Sequence, residues 1–383
     1  CMENKDYKLS GCLVITMKYM PSGSTNNIHN MSKQEVIICQ QLEENLHTAV
    51  KKCQRDKIFI LTDEHTQVFC NPIIASYPYL KDAIHICIGV EDIHKNLETL
   101  AYVWSELSSK GGTRHSLMIN LGGGMVTDLG GFAAATFKRG INMINIPTTL
   151  LAMVDASVGG KTGINFNGLK NEIGAFAPAS SVLIDCEFLK TLDHANILSG
   201  YGEMLKHGLI SNVKHWSELV TFDMQNIDYK KLQELVAESV EVKEKVVEKD
   251  PFENGIRKAL NFGHTIGHAF ESLALEREKP VLHGYTVAWG MVCELYFSHI
   301  KAGFPKDKLR QTIRFIKENY GSMEITCKDY ERLYELMKHD KKNTSGENVN
   351  FTLLGEIGDI RINQTATQDE IYDMLDFYQD TMN

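Results

Sequence analysis

Short apolar runs alternate with longer amphipathic stretches through the first half of the chain. Glu35–Cys39, Ile58–Leu61, Ile84–Ile88, Leu117–Leu121 and Ile141–Ile146 have the length and composition of buried strands. His94–Ser109 and Val126–Lys138 lie between them with helical character. Strands and helices in alternation predict a parallel sheet covered on both faces. After about residue 190 the strands fade. Leu232–Lys249, Ala259–Leu275, Val287–His299, Lys306–Asn319 and Asp329–Lys338 read as helices. Val349–Leu354 and Asp359–Asn363 read as a small hairpin, and Thr367 with Glu370 forms a capping box that opens a last helix. The predicted fold is α/β: an N-terminal parallel-sheet nucleotide-binding domain followed by a mostly α-helical domain.

A cluster of breakers, Pro21 to Asn27, sets the first residues apart. The expected organisation is a peripheral extension over 1–30, an α/β domain over 31–190 and a helical domain over 191–383. A length of 383 residues suffices for two such domains.

Composition narrows the function classes. Hydrophobic residues at 43% and charged residues at 23% are those of a soluble globular protein. No apolar run approaches the ~18 residues that cross a membrane, and Cys12–Met17 is too short for the apolar core of a secretory signal. The net charge of −9 argues against a nucleic-acid partner but leaves an anionic small molecule open, since a local cluster of cations dominates inside a cleft. Nine scattered cysteines without a CxxC pair suit a reducing cytoplasm and no cysteine-held metal.

The densest chemistry lies between Leu117 and Asn171. An apolar run ends in Gly122, Gly123 and Gly124, a helix follows with Asp128 one turn in, and a second apolar run stops at Pro147. Such a turn points backbone N–H groups and the positive end of a helix at one spot, where a phosphate can sit; a plain tight turn is the alternative. The spacing GGGxxxD is not the usual GxGxxG. Asp63, Gly122–Gly124 and Thr148 all fall at carboxyl ends of predicted strands, where open sheets bind ligands. Beyond Pro147, Thr148, Thr149, Asp155, Ser157, Lys161, Thr162, Lys170 and Asn171 crowd among glycines, which suits an anion. Farther on, Glu203, the pair His264 and His268 on one helix face, and His283 are candidate metal ligands. Spacing alone favours His264 with His268, against the reading of ordinary packed histidines.

Arg139-Gly140, PTTLLAMVDASVGGKTGIN from Pro147, Lys170-Asn171, GYGEMLKHG from Gly200, LNFGHTIGHA from Leu260 and LHG at 282–284 occur in one order. Together they resemble the 3-dehydroquinate synthases, within the sugar-phosphate cyclases, from about residue 35 to about residue 360. The resemblance implies NAD at Asp63, Lys95, Gly123, Gly124, Asp128, Thr148, Thr149, Lys161, Lys170, Phe188, Thr191 and Leu192. It implies Zn²⁺ or Co²⁺ on Glu203, His264 and His283, with positions left open for substrate oxygens. His268 then turns to the substrate phosphate with Lys161, Asn171 and Asn261, and Arg139 of a neighbouring subunit reaches the same group. Lys170 also lies among the substrate contacts. Lys243 and Arg257 hold the carboxylate, Lys206 lies near the reacting hydroxyls, and Lys341 or Lys342, with Lys341 preferred, supplies the remaining family lysine. Asp155 and His268 are the proton-handling candidates, with Lys161 and Lys206 beside them in the catalytic set. Three positions depart from the family: Asp92 stands where a Glu precedes Lys95, Asn196 replaces an acidic residue, and Tyr285 follows His283-Gly284 where HGE is usual.

The implied activity converts 3-deoxy-D-arabino-heptulosonate 7-phosphate into 3-dehydroquinate and phosphate, a step of the shikimate pathway to aromatic amino acids. It runs through transient NAD oxidation, elimination, re-reduction and an internal aldol closure. A homodimer in the cytoplasm, with no nucleic-acid or membrane partner, is the expected setting. The rivals are an inosose- or valiolone-forming cyclase, a metal-dependent polyol dehydrogenase and a catalytically dead binding protein. Lys243, Arg257, Asn261 and His268, the carboxylate- and phosphate-reading set, favour dehydroquinate.

Overall fold

Seven strands make the main sheet of the computed structural model, which describes residues 13–18, 33–53, 55–250, 253–338 and 348–382. They are β1 (Leu13–Lys18), β2 (Lys33–Ile38), β3 (Ile58–Asp63), β4 (Ile84–Ile88), β5 (Leu117–Gly122), β6 (Asn142–Pro147) and β9 (Ser181–Ile184), where β7 (Lys161–Phe166) and β8 (Leu169–Phe176) form a separate antiparallel hairpin. The order across the sheet is β1-β2-β9-β6-β5-β3-β4. Six strands run parallel, and only β1 at the edge is antiparallel. β5 is buried at every position, as a strand covered by helices on both faces must be. The chain steps from β3 out to β4, then returns to β5 on the other side of β3. That reversal is the switch point where such sheets leave a crevice at the strands' carboxyl ends.

The described residues within Cys1–Asp193 and Leu232–Glu244 form one unit, and those within His194–Lys231 and Lys245–Asn383 a second. The second unit is mostly helical. Its long helices are His194–Ser211, His264–Glu276, His283–Ala302, Lys306–Tyr320 and Gln368–Met382, joined by the hairpin β10 (Val349–Glu356) and β11 (Asp359–Ala366). Tyr201, Phe270, Phe297, Phe304 and Tyr378 fill its core. Thr367 and Glu370 cap the last helix reciprocally, as the sequence predicts.

Three local readings change. The helix expected over Ala259–Leu275 is a 3-10 turn, Ile256–Asn261, and then a new helix from His264. The break is Gly263, left-handed at φ 79°, where a side chain would meet Met291 Cγ at 2.6 Å and the Val287 carbonyl at 2.9 Å. The helix expected to reach Lys138 stops at Thr136, because Lys138 and Arg139 both adopt positive φ, 53° and 69°. The polar segment after Gly160, given no element from the sequence, is the β7–β8 hairpin, closed by Asn167-Gly168 with φ 50° and 80°.

Candidate functional site

In the first unit, Gly122 ends β5 and Gly123 caps the helix Gly124–Thr136, so the free N–H groups of its first turn open at the switch point. Side-chain volume is excluded here. A Cβ on Gly122 would lie 2.5 Å from Val126, and one on Gly123 would lie 3.0 Å from Thr149 Cγ2. The Thr148 N–H donates to the Gly122 carbonyl at 3.0 Å, and Thr149 Oγ1 accepts from Ala152 N–H at 3.2 Å. Both threonines thus sit against the glycine turn. Phe188 and Thr191 lie on the 3-10 turn Cys186–Thr191 after the neighbouring strand β9, with Leu192 capping it. Asp63 ends β3, but its carboxylate caps the following helix through Thr66 N–H at 2.7 Å.

Two lysines read as ligand contacts are held on carboxylates. The Lys95 ammonium, 5% exposed, meets Asp128 at 2.6 Å and the Asn171 side-chain oxygen at 2.5 Å, tying the glycine-turn helix to the β7–β8 hairpin. Burial pushes the Asp128 carboxyl up, against the pull of Lys95. Lys243, also buried, reaches Asp155 Oδ1 at 2.5 Å and the Asp155 carbonyl. Asp155 sits on a wide π turn, Ala152–Ala156, a form that recurs at functional positions. Lys161 and Lys170 project from the hairpin, Lys170 at 4.0 Å from Asp92, and Asn171 takes φ 53°. Asp92 accepts from Asn165 at 2.9 Å. Arg139 is exposed.

The second unit builds its centre from side chains. Glu203 is fully buried on His194–Ser211, and its Oε1 faces His264 Nε2 at 3.2 Å and His283 Nε2 at 3.4 Å. Each ring is fixed through its other nitrogen. His264 Nδ1 donates to the Phe262 carbonyl at 3.0 Å, and His283 Nδ1 donates to Glu271 Oε2 at 3.1 Å. In their neutral form, two imidazoles oriented this way aim lone pairs at a carboxylate oxygen that has no hydrogen-bond partner. Such a centre requires a positive species. The three ligand atoms lie within 4.8 Å of one another, and two imidazoles with one carboxylate are the donors of an open catalytic zinc site. A proton competes for the same place. Burial opposes charge on His283, but Glu203 and Glu271 outweigh it and lift the ring to about 9. Burial likewise opposes charge on Glu203, yet Lys206 and His264 hold its carboxyl well below the ordinary range. Lys206, 1% exposed, bonds Glu203 Oε2.

Glycines set the spacing of the ligand helices. A Cβ on Gly284, beside His283, would stand 1.7 Å from the Ser199 carbonyl, and one on Gly202, beside Glu203, 2.5 Å from the Gly284 carbonyl. His268 joins the cluster with its ring centroid 5.4 Å from His264 and 5.9 Å from His283. Asn261 donates to Glu253 at 2.8 Å, and the buried Arg257 is anchored through its N–H on Asp250. Tyr285 stacks edge-on against Tyr320 and Trp289. Lys341 lies outside the described residues. Glu271, which orients His283, was not singled out from the sequence, although 264, 268 and 271 share one helix face.

Residues 85–199 match the family described as 3-dehydroquinate synthase N-terminal, and residues 200–343 its C-terminal counterpart. The chain is 54% identical to a 3-dehydroquinate synthase of Parabacteroides distasonis over 351 residues, 92% of this chain and 99% of that one. A 3-dehydroquinate synthase of Oceanobacillus iheyensis is 36% identical, covering 86% and 91%. Among solved structures, a 2-deoxy-scyllo-inosose synthase complexed with carbaglucose-6-phosphate, NAD⁺ and Co²⁺ superposes with a TM-score of 0.79 at 21% identity, covering 91% of this chain and 97% of that one. That likeness establishes the shared fold.

Proposed function

This chain belongs to the 3-dehydroquinate synthase family, and on that premise we propose how its residues carry out the conversion of 3-deoxy-D-arabino-heptulosonate 7-phosphate to 3-dehydroquinate and phosphate. The observation that carries the reading is the convergence of His264 and His283 on the buried, unpartnered Glu203 oxygen. When bound, NAD supplies a reversible oxidant and a divalent cation, Zn²⁺ or Co²⁺, supplies Lewis acidity at the sugar hydroxyls.

The chain's own residues bind and orient. Residues 31–190 hold NAD: the first-turn N–H groups after Gly123 and Gly124 take the pyrophosphate, flanked by Thr148 and Thr149. Asp63, Lys95, Asp128, Phe188, Thr191 and Leu192 complete that site, Lys95 and Asp128 acting as a pair. Lys161, Lys170 and Asn171 on the hairpin face anionic oxygens, and Lys243 binds the substrate carboxylate. Residues 191–383 hold the metal on Glu203, His264 and His283. There Asn261 and His268 bind phosphate, and Arg257 offers a fork matched to a carboxylate. Lys206 stands by the reacting hydroxyls, while Asp155 and His268 move protons; Lys341 completes the set. We place the enzyme in the cytoplasm as a homodimer in which the partner's Arg139 reaches the phosphate. Seven described cysteines outside any disulfide and the exposed, left-handed Arg139 support that placement.

The test is incubation with the heptulosonate phosphate, metal and catalytic NAD. Phosphate release matched by cyclic product, with no net reduced cofactor, is expected. Accumulating reduced cofactor would assign a dehydrogenase instead.

A further inference from the structure

The helix that presents His264 begins without a cap of its own. Its N-cap is Gly263, which has no side chain to offer, yet the first N–H groups of a buried helix need acceptors. They find them on another helix. Glu294, fully buried on His283–Ala302, accepts from Gly263 N–H at 2.8 Å through Oε2 and from Thr265 N–H at 3.1 Å through Oε1. These two N–H groups bracket His264. The reach is made possible by Gly290, one turn before Glu294 on the same face. A Cβ there would lie 2.0 Å from the Gly263 carbonyl, so the two backbones touch. A carboxylate at the positive end of a helix makes charge-assisted bonds, stronger than neutral ones.

We propose that Glu294 is a positioning residue for the metal centre: it clamps the backbone on both sides of His264 and so fixes where His264 Nε2 points. The inference rests on the metal reading of Glu203, His264 and His283. It makes the helix His283–Ala302 doubly responsible for the centre, giving one imidazole at its first residue and steering the other from about three turns on. The Phe262 carbonyl, which fixes the His264 ring through Nδ1, immediately precedes the clamped Gly263. A shift of this backbone therefore moves both the ring and its anchor.

The experiment is cobalt binding to the metal-stripped full chain, read by competition with a chromophoric chelator and by the Co²⁺ ligand-field spectrum. NAD affinity serves as a fold control in the other unit. E294Q keeps one acceptor and faces an N–H with its amide, and about 10-fold weaker cobalt binding with an altered spectrum is expected; for E294L about 100-fold is expected, both in the range of lost outer ligand support. NAD affinity should be unchanged in both. Should E294L not fold, E294Q decides. Wild-type cobalt affinity and spectrum in a variant with intact NAD binding would overturn the proposal, including the case where only thermal stability falls. An H264A control that binds cobalt like wild type would remove the metal reading itself, and with it this inference.

Discussion

The two chemical centres of this chain are built in opposite ways. The glycine turn after β5 is made of backbone, and side chains are kept out of it by the packing of Val126 and Thr149. The Glu203–His264–His283 centre is made of side chains, and glycines matter there only because they let three helices touch. A backbone site has little to lose by charge mutation and much by added volume. A side-chain site is lost when one ligand goes.

That contrast is testable, starting with the largest effect. H264A removes one proposed metal ligand, and Lewis acidity worth several kcal/mol is about 10³-fold in turnover. Turnover and bound metal should fall together while NAD affinity, measured separately, stays put; a drop in NAD affinity would break the contrast. Next comes G284A. Its methyl would sit 1.7 Å from a main-chain oxygen that cannot step aside, so a cost of about 3 kcal/mol in urea unfolding is expected. A mild effect would mean that the helices do not need contact.

Third, the metal-free protein should lose stability as pH rises. His283 is lifted from 6.5 to about 9, so its stabilisation is complete below 6.5 and vanishes through 9. Melting temperature against pH checks this, and saturating zinc should abolish the decline, since the cation replaces the proton. The smallest effect belongs to G123A. Its methyl would meet the Thr149 side chain, Cγ2 nearest at 3.0 Å. About 10-fold weaker NAD binding, the tenfold of 1.4 kcal/mol, is expected without loss of fold. If G123A damaged folding more than G284A, the assignment of backbone and side-chain roles would be reversed.

Much of the first unit was legible because its signals are local. Runs such as Leu117–Leu121 and Ile141–Ile146 announce buried strands without reference to anything else. The β7–β8 hairpin was equally local, written in Asn167-Gly168, but the surrounding lysines and glycines pointed to an anion and masked it. The short strand β9, with four residues, carries too little periodicity to stand out. The metal centre is a different case. Spacing pairs His264 with His268, and all three rings do gather. That Glu203 faces His264 and His283 follows from helix contacts between residues far apart in the chain, which no spacing rule reads. The family resemblance supplied those ligands; Glu271 and Glu294 came only with the packing.

Glu203 faces three neighbours at once, two imidazoles through one oxygen and Lys206 through the other. The ammonium already cancels the carboxylate's charge before any metal arrives. Once a divalent cation has displaced the His283 proton, the centre therefore carries the cation's whole double charge, where an unpaired carboxylate would quench half of it. On the proposed reading, that undiluted field is what the helical unit brings to a substrate that carries a phosphate and a carboxylate and whose hydroxyls must be made acidic.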